Sequence, residues 1–416
     1  MTLDKKKNIL IVSQYFWPED FKVNDIAFDL VKRGHEVTVL TGKPNYPKGK
    51  FFKGYGMFSK RNEKHKGVNI VRCPVIPRGK GGAILLMANY SSFIFFGYFT
   101  SLFRIKKGHD LIFCHLTSPI TSALPAIWLK KRFNIPLVIW ILDLWPESVE
   151  ATTNITNKHV YSWLTKLVRY IYGQSDRILV SSRSFIGSVE EKVAQKEKIG
   201  YFPNWAEDIF TSATSNNVKF EAIPVFPEGF NIMFAGNIGD AQDIESIVLA
   251  AQKLKDLGIN LIVVGDGRKF SWLQNEIESL KLPNVFLMGR YPLQSMPIFF
   301  EKADAMLVSL KNEPIFRLTV PAKIQAYMAS GKIILGMING EANNMINESG
   351  CGYAVEAGNY TALADKANVI QKLSVSARLK MQENALRYYQ DNFEKKAQLD
   401  KLERIMDDEL QKVGNI

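Results

Sequence analysis

An alternation of apolar and helical segments that begins near the amino terminus constrains the fold more than any other feature. The run 8–13 (NILIVS) is uncharged and of strand length, as expected for a parallel strand buried on both faces. Helical spacing of apolar residues follows at 25–33, and a second strand is predicted at 35–40. This β-α-β unit predicts a doubly wound α/β sheet. The turn at 14–20 has no glycine, which argues against a nicotinamide or flavin enzyme.

The same alternation restarts in the second half of the chain. A segment rich in Ser, Thr, Asn and Pro at 211–229 precedes it, as is typical of a linker. A chain of 416 residues is also too long for one ordinary core. We therefore expect an α/β fold with two Rossmann-like, doubly wound domains that face each other across a cleft. The predicted domains are 1–206 and 230–391, with a linker or irregular insert at 207–229.

The charge of the chain is concentrated in its first quarter. The net charge is +12, and residues 1–110 carry 20 basic and 8 acidic side chains, whereas the remainder carries 33 of each. A basic half of this kind indicates an acidic partner. Because no zinc-knuckle, ribonucleoprotein or helix-turn-helix motif is present, we expect no nucleic acid and favour anionic lipid or a phosphorylated substrate.

A run of 21 uncharged residues at 83–103 is flanked by basic residues on both sides. It is long enough to span a bilayer, but Asn and Ser residues interrupt it. Three interpretations stay open: a domain helix that also touches an anionic membrane surface, an internal helix, and a membrane span. No export signal is recognised, and three widely spaced cysteines suit a reducing compartment. We expect a cytoplasmic protein, peripheral on the inner face of the cell membrane.

Lys323 is the most unusual residue of the second half. Pro321 and the apolar residues that follow predict a helix beginning there. A cation in the first helical turn opposes the helix dipole, unless an anion binds to the free N–H groups and the ammonium together. The alternative is a solvated surface lysine. Glycines at the predicted strand ends 236 and 265–267 would let the backbone approach such a ligand closely.

In the first half, candidate site residues follow the predicted strands. Asp143 and Glu147 come directly after one strand, and His115 ends another. Ligands of open α/β sheets bind outside the carboxyl ends of the strands, so these side chains are candidates for catalysis. A lone histidine at such a position is more often structural. The basic and aromatic loop at 43–56 is either a ligand-binding loop or a disordered surface loop.

Several short motifs occur in a fixed order along nearly the whole chain. They are 9–18 (ILIVSQYFWP), 33–41 (RGHEVTVLT), 44–47 (PNYP), 143–148 (DLWPES), 203–205 (PNW), 236–239 (GNIG), 241–245 (AQDIE), 264–267 (VGDG), 321–324 (PAKI) and 327–331 (YMASG). In this order and spacing they resemble the GT-B glycosyltransferases of family 4, especially bacterial O-antigen and capsule enzymes similar to N-acetyl-L-fucosaminyltransferases.

This resemblance implies transfer of a sugar, with retention at the anomeric carbon, from a nucleotide-sugar to an acceptor. The expected donor is a UDP-linked, N-acetylated amino sugar, and the expected acceptor is a polyprenyl-diphosphate-linked saccharide of capsule or O-antigen biosynthesis. The family binds the donor on the second domain and the acceptor on the first, and its carboxy-terminal helix, here about 392–416, crosses back to the first. No Asp-x-Asp motif is present, so we expect neither metal nor cofactor.

The resemblance also assigns the candidate residues to roles. The family's paired glutamates are replaced by Leu318 and Ala326, so Glu313 and Glu341 are expected to take over the sugar and ribose contacts. The expected catalytic residues are Asp143, Glu147, His115 and Glu313. The expected donor-binding residues are Gly236, Asn237, Gly265, Asp266, Gly267, Arg290, Tyr291, Arg317, Lys323 and Glu341, and the expected acceptor-binding residues are Trp17, Lys43, Asn45 and Tyr46.

Two alternatives share the same architecture. A nucleotide-sugar 2-epimerase would need neither an acceptor nor a membrane. An inactive subunit that only binds lipid-linked glycan is conceivable because the paired glutamates are missing.

Overall fold

A computed structural model describes residues 6–80, 82–153, 157–211 and 224–414. The chain divides into two compact units, Met1–Pro203 with Leu399–Ile416 and Asn204–Gln398. The predicted insert at 207–229 falls largely outside the described residues, since positions 212–223 are not among them.

A mainly parallel sheet, most of whose strands are buried and apolar, forms the first unit. Its strands are β1 (Asn8–Val12), β2 (Glu36–Thr41), β3 (Asn62–His65), β4 (Val68–Arg72), β5 (Leu111–Leu116), β6 (Leu137–Ile141), β7 (Arg177–Val180) and β8 (Ile199–Tyr201). Within the described residues the sheet has the order β3-β4-β2-β1-β5-β6-β7-β8, and only β3 and β4 pair antiparallel. The strand order reverses between β1 and β5, and such a switch point opens a crevice at the carboxyl ends of the strands.

Helices connect these strands, as the alternation in the sequence predicts. They are α1 (Lys22–Lys32), α2 (Ala83–Arg104), α3 (Leu124–Phe133), α4 (Glu147–Thr153), α5 (Lys158–Gln174) and α6 (Phe185–Glu190). The helix α1 begins three residues before its predicted start, which places Asp25 in its first turn, where a carboxylate is favourable.

The helix α2 buries an unusual face. Its buried residues are mostly small or polar, and several bond to the unit: Asn89 accepts from Gln14 Nε2 (2.8 Å), and Ser92 Oγ accepts from the Ile76 N–H (2.9 Å). Its large apolar residues Ile84, Met87, Phe95, Phe99 and Phe103 are exposed. Among the described residues, α2 alone is long and apolar enough to cross a membrane by length and composition, a test that core helices of soluble proteins also pass.

The second unit is a parallel sheet covered by helices. Its strands are β9 (Phe230–Asn237), β10 (Ile259–Asp266), β11 (Val285–Gly289), β12 (Ala305–Ser309), β13 (Ile333–Met337) and β14 (Gly352–Val355). Its helices are α7 (Ile244–Asp256), α8 (Phe270–Ser279), α9 (Met296–Lys302), α10 (Pro314–Leu318), α11 (Ala322–Ala329), α12 (Glu341–Ser349), α13 (Tyr360–Lys372) and α14 (Val375–Phe393). In the described chain the strand order is β11-β10-β9-β12-β13-β14, so the predicted doubly wound topology is confirmed, with its switch point between β9 and β12.

The last helix, α15 (Lys395–Gly414), joins the first unit from Leu399 onward. Ion pairs attach it there: Arg33 Nη1 lies 2.6 Å from Asp400 Oδ1, and His35 Nε2 lies 2.6 Å from Glu403 Oε1. Lys7 adds a pair with Asp407 (2.9 Å). The return of the carboxy-terminal helix to the first domain is therefore confirmed.

Candidate active site

The carboxyl ends of β9 and β10 approach each other through their backbones. A side chain on Gly265 would place its Cβ 1.8 Å from the Gly236 carbonyl oxygen, and one on Gly267 would lie 2.2 Å from the Ile238 oxygen. These clashes, together with a φ of +151° at Gly265, require glycine at both positions. Gly265 and Gly267 are therefore required by the backbone packing itself, and they leave no side chain between the ends of β9 and β10.

Lys323 points at this edge. It is the second residue of α11, and its Nζ lies 4.1 Å from the centre of the Phe234 ring in β9. A Cβ at Gly236 would lie 3.1 Å from the same Nζ. The ammonium is buried and has no hydrogen-bond partner among the described residues. Burial lowers the pKa of Lys323 to about 8, so the side chain stays largely charged at neutral pH.

An unpartnered buried cation is rare, because desolvation of a charge is costly unless a counter-charge is bound. The neighbouring Tyr327 hydroxyl is already used, since it donates to the Ala235 carbonyl (3.2 Å). An anion at the start of α11 would complete the environment of Lys323.

A second group of candidates follows β12 and β13. Arg317 Nη2 donates to Asn312 Oδ1 (2.8 Å), and Asn339 Nδ2 donates to the same oxygen (2.9 Å). Gly340 approaches the Arg317 carbonyl so closely that a Cβ would lie 1.8 Å from it. This contact brings Glu341, the first residue of α12, next to α10. Glu313 is the exposed N-cap of α10.

The other expected donor residues lie on the same carboxyl edge or beyond it. Asn237 is exposed at the end of β9, and its Nδ2 donates to Gln242 Oε1 (3.3 Å). The Asp266 carboxylate caps the Gly267 N–H (2.7 Å). After β11, Arg290 is exposed, and the Tyr291 ring packs on Phe299 (4.7 Å between centres).

In the first unit, Asp143 follows β6 and has a polar neighbourhood. The Trp145 Nε1–H donates to Ser118 Oγ (3.1 Å) and lies 3.4 Å from Asp143 Oδ2. Tyr90 belongs to the same neighbourhood. Its pKa is raised, chiefly by burial; a hydrogen bond with Ser118 lowers this pKa, and the negative charge of Asp143 raises it. Asp143 is partly exposed, so this arrangement leaves its carboxylate free to meet a ligand hydroxyl.

Glu147 and His115 have different surroundings from Asp143. Glu147 Oε1 accepts from Lys192 Nζ and from Ser188 Oγ, both at 2.6 Å, which makes an ion pair within the unit. The His115 ring is buried beside Trp140, and its Nδ1 lies 3.2 Å from Ser13 Oγ. Burial lowers the pKa of His115 to about 3, so the ring is neutral at physiological pH. In this geometry the Glu147 carboxylate is engaged in an ion pair and the His115 ring is enclosed, and a catalytic role for either stays a prediction.

The expected acceptor residues separate into buried and accessible ones. Lys43 is buried and donates to the carbonyls of Ser59 and Lys60, the latter at 2.9 Å. Asn45 is buried too, and its Nδ2 donates to the Lys43 carbonyl (2.9 Å). Both side chains are engaged within the loop in this structure, and their contact with an acceptor stays a prediction.

Trp17 and Tyr46 remain accessible. The Trp17 ring stacks on His65 at 3.7 Å between centres. The Tyr46 ring is 40% exposed. Both side chains are thus partly accessible, and aromatic rings of this kind can pack against sugars.

Three further residues, Glu19, Tyr15 and Arg78, meet beside Tyr46 and were not among the residues expected from the sequence. Glu19 Oε1 accepts from the N–H groups of Asn45 and Tyr46 (2.8 and 2.7 Å), and Arg78 lies over the Tyr46 ring. Glu19 directly follows Pro18 in a predicted loop, which was an available signal. No sequence signal marks the position of Arg78, because its contacts depend on three separate loops.

Within the described residues, no group of three His, Cys, Asp or Glu side chains is arranged to hold a metal ion.

Two family models match the chain: Glycosyl transferase 4-like domain at 22–205 and Glycosyl transferases group 1 at 216–388. The chain is 27% identical over 313 residues to the probable glycosyltransferase WbjE of Pseudomonas aeruginosa, covering 73% of this chain and 77% of the relative. It is 23% identical over 318 residues to WcaI of Escherichia coli K12, a putative colanic acid biosynthesis glycosyl transferase, covering 73% and 75%.

The solved structure of Anabaena HepE in complex with UDP has the same fold. It superposes with a TM-score of 0.66 over 96% of this chain and 100% of that chain, at 14% identity. The chain therefore belongs to the glycosyltransferases of the GT-B fold, with a family 4-like domain followed by a group 1 domain.

Proposed function

We propose that this glycosyltransferase moves a sugar from UDP to a polyprenyl-diphosphate-linked saccharide in capsule or O-antigen biosynthesis, with retention at the anomeric carbon. The observation that carries the proposal is the buried, unpartnered ammonium of Lys323 at the carboxyl edge of the second sheet. HepE, which shares the fold, was solved with UDP, and WcaI is named for synthesis of a polysaccharide. The resemblance to N-acetyl-L-fucosaminyltransferases supports an N-acetylated amino sugar as the group transferred.

The chemistry of this transfer explains why a cation is needed. The bond between the anomeric carbon and the diphosphate breaks, and the departing UDP keeps the electron pair. A new bond forms to an acceptor hydroxyl, whose proton we assign to Asp143. Lys323 and the N–H groups at the start of α11 stabilise the negative charge that develops on the diphosphate, which is electrostatic catalysis without proton transfer at that end. Arg317, Glu313 and Glu341 are the proposed contacts to the rest of the donor.

We also propose that the protein binds the inner face of the cell membrane through α2 and its neighbours. The helices α2, α3 and α5 carry seven basic side chains and no acidic one. Contacts join them: the Tyr98 and Trp128 rings lie 4.8 Å apart, and Lys131 Nζ lies 3.4 Å from the Tyr170 hydroxyl. The exposed rings of α2 continue in α5 with Trp163, 62% exposed. Basic residues beside exposed aromatic rings suit an anionic lipid interface.

The direct test is turnover of UDP-N-acetyl sugars by purified protein on vesicles that carry a polyprenyl-diphosphate-linked monosaccharide. Lipid-linked disaccharide with release of UDP is the expected result, and the anomeric configuration of the product reports retention. An isomerised nucleotide-sugar formed without acceptor would point to the epimerase alternative. Absence of any turnover, while glycolipid is still bound, would point to the inactive subunit.

A further inference from the structure

The Arg78 guanidinium lies between two tyrosine rings, which we call its cage, beside the expected acceptor residues of the first unit. The Arg78 guanidinium carbon lies 5.8 Å from the centre of the Tyr15 ring and 5.2 Å from that of Tyr46. Its Nη1 donates to the Tyr15 hydroxyl (3.3 Å), and its backbone N–H donates to Asn45 Oδ1 (3.1 Å). No ion pair is found for Arg78 within the part of the chain that the structure describes. The guanidinium is thus fixed in place while its charge remains unneutralised.

The cage itself is rigidly supported. The Tyr15 ring stacks on Phe21 at 4.9 Å with an angle of 12° between planes. The buried Glu19 fixes the Tyr46 end of the cage through its bonds to the loop backbone. Its carboxylate oxygen Oε1 is therefore engaged by N–H groups rather than by Arg78. Arg78 is half-buried and Tyr46 is partly exposed, so a ligand can reach the cation from solvent.

Arg78 belongs to the same end of the sheet as Asp143. Tyr15 follows β1 and Tyr46 follows β2, so the cage lies at the carboxyl ends of the central strands. Burial raises the pKa of Tyr90, and of the two nearby charges that of Arg78 lowers this pKa while that of Asp143 raises it. A ligand hydroxyl at Asp143 and an anionic group at Arg78 would lie at the same edge of the sheet.

An exposed apolar surface begins next to this cation. The helix α2 starts five residues after Arg78, and Leu85 packs on the intervening loop, where a Cβ at Gly79 would lie 2.5 Å from Leu85 Cδ1. Ile84 is 83% exposed, and Met87 is exposed one turn further. A ligand with an anionic group joined to a hydrocarbon chain fits this juxtaposition.

We infer that Arg78, caged by Tyr15 and Tyr46, binds the phosphate of a lipid-linked acceptor, and that the first turns of α2 bind the adjoining isoprenoid chain. The inference rests on the proposed function and adds the subsite that selects a phosphorylated, lipid-linked acceptor. An arginine suits this task because its planar, always charged fork pairs with two phosphate oxygens at once. Its stacking between two rings orients that fork before the ligand arrives.

The test is calorimetric binding of farnesyl diphosphate, inorganic pyrophosphate and farnesol to the full chain. A Lys323→Met background removes the anion site of the second unit from the measurement. Arg78→Gln is expected to weaken farnesyl diphosphate binding by about tenfold or more, and Arg78→Lys by less. Arg61→Gln is the matched control, because Arg61 also lies over a ring, that of Phe58 at 5.7 Å, but at an exposed position. Thermal melts verify that each variant is folded.

The outcomes separate the parts of the inference. Farnesyl diphosphate binding that is equal in wild type and Arg78→Gln overturns it. If pyrophosphate binds as tightly as farnesyl diphosphate, the isoprenoid contact with α2 is excluded and the phosphate contact with Arg78 is supported. If farnesol binds as tightly as farnesyl diphosphate, the phosphate contact with Arg78 is excluded. UDP binding to the Lys323-intact protein is measured separately, so a failure of the proposed donor site leaves the Arg78 result readable.

Discussion

The ammonium nitrogen of Lys323 lies 4.1 Å above the ring of Phe234, and no described residue offers it a hydrogen bond. The ring compensates part of the lost hydration through its negative face. It does not neutralise the charge, and burial lowers the pKa to about 8. The free protein therefore carries a cation that is more favourable when an anion is present than when it is absent.

Lys323→Met is expected to stabilise the free protein. Removing a buried, unpaired charge while keeping the apolar stem should raise the free energy of unfolding at pH 7 by about 1 kcal/mol or more. Because the pKa of Lys323 in the folded protein, about 8, is below its ordinary value of 10.5, the wild type gains stability as the pH rises from 8 toward 10.5, and the variant lacks that gain. Urea unfolding at pH 7 and pH 9.5 measures both effects.

Lys332→Met is the control for that experiment. Lys332 Nζ donates to the carbonyls of Glu301 (3.2 Å) and Ala303 (3.1 Å), so its removal leaves two acceptors unsatisfied. We expect this variant to lose about 1 kcal/mol. A loss of stability in Lys323→Met similar to that in Lys332→Met would contradict the unpartnered state of Lys323.

Glu19 predicts a second pH dependence, of opposite sign. Burial raises the pKa of Glu19 to about 7, above its ordinary value of 4.5. The stability that this carboxyl contributes is thus complete below 4.5 and is lost as the pH rises through 7. Glu19→Gln keeps the acceptor for the loop N–H groups, so at pH 8 it should be more stable than wild type, by at most about 3 kcal/mol. Glu36→Gln, at an exposed position, should show no such gain, and a flat difference between pH 5 and 8 would exclude a buried, protonating Glu19.

Asp143 and Glu147 should respond differently to the same chemical change. Asp143→Asn is expected to lower turnover strongly, with little change in melting temperature. Glu147→Gln leaves the buried Lys192 ammonium without its counter-charge, so it should lower the free energy of unfolding by about 1–3 kcal/mol. Its turnover should fall only in proportion to the fraction of protein that is unfolded. Parallel melting curves and initial rates test the pair, and a stable but inactive Glu147→Gln would reverse the two assignments.

The exposed rings of α2 should govern vesicle binding. Phe95→Ser with Phe99→Ser removes two rings from the exposed face and is expected to reduce sedimentation with anionic vesicles severalfold. Phe58→Ser is the control, since Phe58 lies outside that helix and is as exposed as Phe95, both at 58%. Wild-type binding should weaken with salt, because screening acts over ~10 Å at ~0.1 M. Retention that resists salt and yields only to detergent would favour a spanning helix.

The sequence predicts the architecture well because the buried strands are continuous apolar runs. β1 and β6 are such runs, and the reset of the pattern near residue 230 marks the second sheet. The unusual position of Lys323 in a first helical turn could likewise be recognised from local rules alone. These features depend only on neighbours along the chain.

Roles that depend on distant segments could not be predicted. Asp143 and Glu147 look equivalent in the sequence, and only the fold brings Ser188 and Lys192 to Glu147. Lys43 looks like a free cation in a basic loop, yet it turns inward to carbonyls 16 and 17 residues away.

Titration of UDP into wild type, Lys323→Met and Lys332→Met at pH 7 tests the central claim most directly. We expect Lys323→Met to lose about tenfold or more in affinity, and Lys332→Met to bind as wild type does. Wild-type affinity should also fall as the pH rises above about 8, the pKa of Lys323. Unchanged UDP affinity in Lys323→Met would contradict the assignment of this ammonium to the diphosphate.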